Sequence, residues 1–92
     1  NTHPGKILKE EFLDPFGARA YKMPKEIKIA QTRISQIVKG KRRITANTAL
    51  RLSEFFGNSP QFWMGIQDDY DLEEERTKIE EDLKHINRVK AS

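Results

Sequence analysis

Cysteine is absent from this chain of 92 residues, so neither a disulfide framework nor a thiolate metal site can form. Its two histidines, His3 and His85, stand apart from any metal-ligand spacing, and no metal site is expected. No apolar run approaches the roughly 20 residues that a membrane-spanning helix needs. The opening segment, Asn1 to Lys6, is polar and lacks the apolar core of a signal peptide. These absences lead us to expect a cytoplasmic protein with no membrane partner. There is also no glycine-rich phosphate loop and no nucleophile beside an obvious base. No catalytic residue and no cofactor are therefore expected, and the chain is not read as an enzyme. Strand-like alternation, internal repeats and low-complexity tracts are missing too, which leaves an all-α reading.

The most informative absence is local. Residues 27–53 contain no acid but seven bases: Lys28, Arg33, Lys39, Lys41, Arg42, Arg43 and Arg51. Residues 1–26 carry five bases and four acids, and residues 54–92 carry five bases and ten acids. The net charge of +3 thus divides into +1, +7 and −5 along the chain. A basic middle segment of this kind suits a polyanion-facing surface.

Apolar spacing and punctuation predict about five helices in one small domain. Pro4 suits a helix start, Ile7, Leu8 and Phe12 supply an apolar face, and Pro15 and Gly17 end the first helix. Tyr21, Met23 and Ile27 can face a core, but Pro24 requires the second helix to be short, late or kinked. Gln31 to Val38 is the next helix, with Ile34, Ile37 and Val38 inward and Gly40 as a left-handed terminator. Thr45 caps a helix over Ala46 to Phe56 that buries Ala49, Leu52 and, in part, Leu50 and Phe56, with Gly57 as its stop. Ser59-Pro60 starts another, carrying Phe62, Trp63 and Ile66 to about Tyr70, with Trp63 read as core. Residues 1–70 form this bundle, and residues 71–92 form a charged amphipathic extension. Its stripe of Ile79, Leu83 and Ile86 is a candidate dimer or partner contact.

The order of parts is that of a helix-turn-helix: a short helix, a turn near Lys28 to Ala30, a helix with one polar face, then a basic loop. In such a motif the second helix enters the major groove of DNA. Its exposed set here is Gln31, Thr32, Arg33, Ser35 and Gln36. Gln pairs bidentately with adenine, Arg with guanine, and Thr or Ser with several base edges. Lys39, Lys41, Arg42 and Arg43 suit phosphates, which set register and salt dependence. Arg51 suits either a phosphate or a structural pairing with an acid such as Glu54, and the structural role is favoured.

These stretches carry a family resemblance over roughly residues 3–72. His3-Pro4-Gly5 with Ile7-Leu8 and Glu10-Glu11-Phe12-Leu13, then Gln31 through Ala46, then Thr48-Ala49-Leu50-Arg51-Leu52, Ser59-Pro60, Phe62-Trp63 and Gln67 together resemble the HigA-type antitoxins. These are also called the virulence-associated protein I family, within the lambda-repressor-like helix-turn-helix group. The resemblance implies a bacterial antitoxin that binds a messenger-RNA-cleaving ribonuclease toxin and represses its own operon as a homodimer on palindromic operator DNA. It places the base-reading positions at Gln31, Thr32, Arg33, Ser35 and Gln36. A stand-alone helix-turn-helix regulator without a toxin is the alternative. Two residues depart from the pattern: Pro24 stands where a small helix residue is usual, and Lys28 where the turn usually has glycine. They predict a remodelled turn or a displaced first helix.

Overall fold

The computed structural model describes residues 1–17 and 22–90. Tyr21, expected to face the core, lies outside them. Among the described residues there are six helices and no strands.

The first helical run, α1, covers residues 4–16. It joins Pro4–Ile7, a π-helical stretch Leu8–Leu13 and a last turn Asp14–Phe16. It therefore begins before the expected apolar face and continues through Pro15. The register widens just before this proline: the Asp14 N–H reaches back to the Lys9 carbonyl. A proline removes one helical hydrogen bond and crowds the carbonyl four residues earlier, and a wider turn relieves that crowding. Gly17, at φ 54°, ends the run.

Helix α2 is Met23–Ile27, which settles the question posed by Pro24: the helix begins late, and the proline sits in its first turn. Lys28 follows with φ 58° and ψ 43°, the one non-glycine residue with positive φ among those described. The turn is therefore not remodelled. Lys28 adopts the left-handed geometry, and the N–H of Ile29 bonds back to the Pro24 carbonyl at 2.9 Å. A left-handed side-chain residue costs about 1–2 kcal/mol, while glycine adds about 0.5–1 kcal/mol of unfolded-state entropy. Lys28→Gly is accordingly expected to stabilise the protein by about 0.5–1 kcal/mol. This reads as a higher urea midpoint at unchanged m-value; an unchanged or lower midpoint would show that the turn carries no strain.

Helix α3 spans Gln31–Val38, as its apolar spacing predicts. It closes in a Schellman motif, with Gly40 (φ 77°) donating to the Ile37 carbonyl at 3.0 Å and Lys41 to the Gln36 carbonyl at 2.8 Å. Helix α4, Ala46–Phe56, is capped by the Thr45 hydroxyl and stopped by Gly57. Helix α5 starts at the Ser59 cap and Pro60 but runs unbroken to Lys78, well past the expected end near Tyr70. Its continuous hydrogen-bonding carries it across the change in composition at residue 71. A short α6, Glu80–Lys84, follows a break at Ile79.

The core is Leu8, Met23, Ile27, Ile29, Ile34, Ile37, Ile44, Ala49, Leu52 and Trp63. The Trp63 ring is fully buried, its Nε1–H donating to Asn58 at 2.9 Å. Phe12 packs on it, with ring centroids 4.7 Å apart, and on Phe56 and Phe62. Leu50, expected to be partly buried, is instead 56% exposed, because it lies on the outward side of α4 from Ala49 and Leu52.

Candidate nucleic-acid interface

Helices α2 and α3 are joined by Lys28, Ile29 and Ala30. Two buried side chains hold this corner, Ile27 and Ile29, together with Arg51 from α4. Arg51 donates to the Ile27 carbonyl at 2.8 Å and to Asn47 at 2.8 Å. Its role is structural as expected, but its partners are a helix-end carbonyl and an amide instead of Glu54. A guanidinium at this carbonyl both satisfies a helix-end acceptor and suits the negative end of the helix dipole.

With Ile34 and Ile37 buried, α3 leaves Gln31, Thr32 and Gln36 exposed, and Ser35 is half-buried at their edge. Arg33 differs from them. It is half-buried, its guanidinium donates to the Thr48 hydroxyl at 3.1 Å, and its Nε is buried with no partner among the described residues. Thr48 Oγ1 also accepts from the Thr45 hydroxyl at 3.3 Å, so Arg33 braces the start of α3 against the cap of α4.

The loop after α3 presents Lys39, Lys41, Arg42 and Arg43, all exposed. Two of them are tied. Arg42 Nε–H donates to Gln36 Oε1 at 2.9 Å. Arg43 pairs with Asp71 on α5 at 2.6 Å, with both side chains about half exposed, an arrangement worth up to about 1 kcal/mol. Asp71 also accepts from Gln67 Nε2 at 2.9 Å, and Gln67 Oε1 accepts the buried backbone N–H of Ile44 at 2.7 Å. The fully buried Gln67 is thus the anchor that α5 provides for the basic loop. The Arg43 guanidinium beside Asp71 holds that carboxyl below its usual range, helped by Gln67. Gln67, Thr48 and Asp71 escape sequence reading as site residues because nothing in their own spacing marks them. The only pointers were Gln67 and Thr48 as parts of the family motif.

At the other end of the loop, His3 caps α1. Its Nδ1 accepts the Gly5 N–H at 2.9 Å, and its ring meets Tyr70 edge-on at 4.8 Å and lies beside Gly40. Burial lowers the His3 pKa, and the nearby Asp71 charge opposes this in part. A histidine with a lowered folded pKa contributes stability above its ordinary value of 6.5, and that contribution is lost as pH falls through the folded value. Asp71 acts in the same direction at lower pH, contributing above 3.8 and failing as pH falls through its lowered value. We expect stability to decline on acidification from pH 7, with His3→Asn flattening the first part of the decline. Asparagine caps a helix but does not titrate. An identical pH profile for His3→Asn in urea unfolding would show that His3 is not the titrating group.

The candidate contact stripe is divided. Ile79 (37% exposed) and Leu83 (41%) are linked by the Leu83 N–H to the Ile79 carbonyl at 2.9 Å. Ile86, 69% exposed, lies beyond the end of α6 at Lys84 and so is not part of a helical stripe. Val89, three residues further on, is exposed as well. Among the described residues no helix is long and apolar enough to cross a membrane, and no cluster of potential ligands could hold a metal ion.

Short α2, left-handed corner, polar-faced α3, basic loop and capped α4 together define a helix-turn-helix protein. The helix-turn-helix family model matches residues 25–63. The chain is 44% identical over 87 residues to virulence-associated protein I of Dichelobacter nodosus, covering 95% of this chain and 77% of that protein. It is similar to the structure of a HigA-family addiction module antidote protein from Coxiella burnetii, with 41% identity and a TM-score of 0.82 over 96% of this chain and 97% of that one. Another similar structure is the Pseudomonas aeruginosa antitoxin HigA with the higBA promoter, at 32% identity and a TM-score of 0.85 over 95% of each chain. The chain belongs to the HigA antitoxin family, which includes virulence-associated protein I.

Proposed function

We propose that this protein is a sequence-specific DNA-binding antitoxin that represses its own operon and neutralises a ribonuclease toxin. One observation carries the DNA half: α3 and the loop behind it form a single outward surface with no acidic side chain of its own. Gln31, Thr32, Ser35 and Gln36 meet base edges on this reading. Lys39, Lys41 and Arg42 meet phosphates, joined by Arg43 to the extent that Asp71 releases it. Arg33 seats α3 through Thr48 with one guanidinium donor and keeps its other terminal nitrogen for a base edge. A homodimer would set two such helices on half-sites about one helical turn (roughly 34–36 Å) apart, and Ile79 and Leu83 are available to its interface. Family membership supports the toxin half, and the surface for the toxin is left to experiment. The protein's place on this reading is the bacterial cytoplasm.

The test is binding to the DNA upstream of the protein's own gene, combined with co-expression of the neighbouring gene product. Protection of a two-fold site is expected. Lys41→Ala should weaken binding to all sequences alike and reduce the salt slope by about 1. Absence of protection at low salt would overturn the repressor role. Failure of the neighbouring product to copurify, with no relief of growth arrest, would overturn the antitoxin role and leave a stand-alone regulator.

A further inference from the structure

Gln36 is bound to the basic loop twice. Its backbone carbonyl accepts the Lys41 N–H at 2.8 Å, and its side-chain Oε1 accepts the Arg42 Nε–H at 2.9 Å. The second bond fixes the amide: oxygen toward the guanidinium, nitrogen away from it. We propose that Arg42 is a specificity-determining residue, committing Gln36 to donate to acceptors in the major groove in place of making the paired N6 and N7 contact with adenine. The inference rests on the DNA-binding reading above.

A glutamine recognises adenine by two bonds at once, accepting from N6 and donating to N7. The acceptor in that pair is Oε1. Here a cation already donates to Oε1, and the adenine amine would have to approach beside that positive charge. The Gln36 NH2 group keeps two donors. Guanine N7 and O6 and thymine O4 offer acceptors to such a group without asking for one in return. Arg42 therefore has two effects: its charge acts on any DNA, and its Nε–H selects the face that Gln36 presents. The two are separable, since a phosphate contact carries no sequence information.

The experiment compares the wild-type protein, Arg42→Ala, Gln36→Ala and the double variant on a library of randomised duplexes. Both residues are exposed, and no core contact is removed. Arg42→Ala is expected to lower affinity for every sequence. In addition, it should shift preference toward adenine by about tenfold at one symmetry-related pair of positions, on the scale of one bidentate contact. Gln36→Ala should flatten preference at that same pair, and the double variant should show no shift toward adenine. Uniform weakening by Arg42→Ala, or a shift that persists without Gln36, overturns the proposal. Failure of the wild-type protein to prefer any sequence would instead overturn the DNA-binding reading itself.

Discussion

Gly5→Ala is expected to destabilise the protein by about 3 kcal/mol or more, the upper end of overpacking costs. A Cβ at this position would overlap the Ile37 carbonyl oxygen and lie 2.7 Å from its carbonyl carbon and 3.0 Å from Val38 Cα. All three atoms belong to the backbone of α3, so no rotamer change relieves the clash. Either α1 or the last turn of α3 must move. For a domain of this size a loss of about 3 kcal/mol corresponds to roughly 12–24 °C in Tm. Because α3 is the proposed reading helix, displacing it should also weaken DNA binding at temperatures where the variant remains folded. Gly65→Ala is the matched control. It lies within α5, where a Cβ meets nothing within 4 Å. There alanine should stabilise by up to about 1 kcal/mol through helix propensity. A Gly5→Ala variant as stable as wild type would show that α1 does not seat α3.

Gln67→Leu is expected to cost about 2–3 kcal/mol, in spite of the similar size and greater hydrophobicity of leucine. The substitution strands the buried Ile44 N–H, a loss of about 1–3 kcal/mol for an unsatisfied donor. It also removes a hydrogen bond from Asp71, the partner of Arg43. The damage should be concentrated in the loop. Faster hydrogen exchange at the Ile44 amide, beyond what the global loss of stability explains, is the diagnostic result. Proposed phosphate contacts at Lys41 and Arg42 are then held less firmly, and DNA affinity should fall although no DNA-facing side chain has changed. Unaltered exchange at Ile44 would remove Gln67 as the loop anchor.

Both variants act at positions whose importance is unevenly legible in the sequence. Gly5 and Gln67 each appear in family motifs, but composition and spacing assign them no task. Gly5 matters because two backbones approach each other, and Gln67 because its amide meets a main-chain donor 23 residues away. Neither contact leaves a local pattern.

What the sequence determined by itself is local in origin. Apolar spacing and punctuation set α3 at Gln31–Val38, α4 at Ala46–Phe56 and the starts of α1 and α5, since caps, prolines and terminating glycines act within a turn or two of the chain. The acid-free run over residues 27–53 marked the basic surface, because charge is read directly from residue type. The tertiary structure decided what depends on neighbours distant in the chain. It admitted Lys28 to a left-handed turn, with the surrounding fold holding the corner. It turned Arg33 inward to Thr48, tied Arg43 to Asp71 and set Arg42 on Gln36. A polar face on one helix is visible in sequence, but which of its groups remain free for a ligand depends on partners that only folding brings into reach.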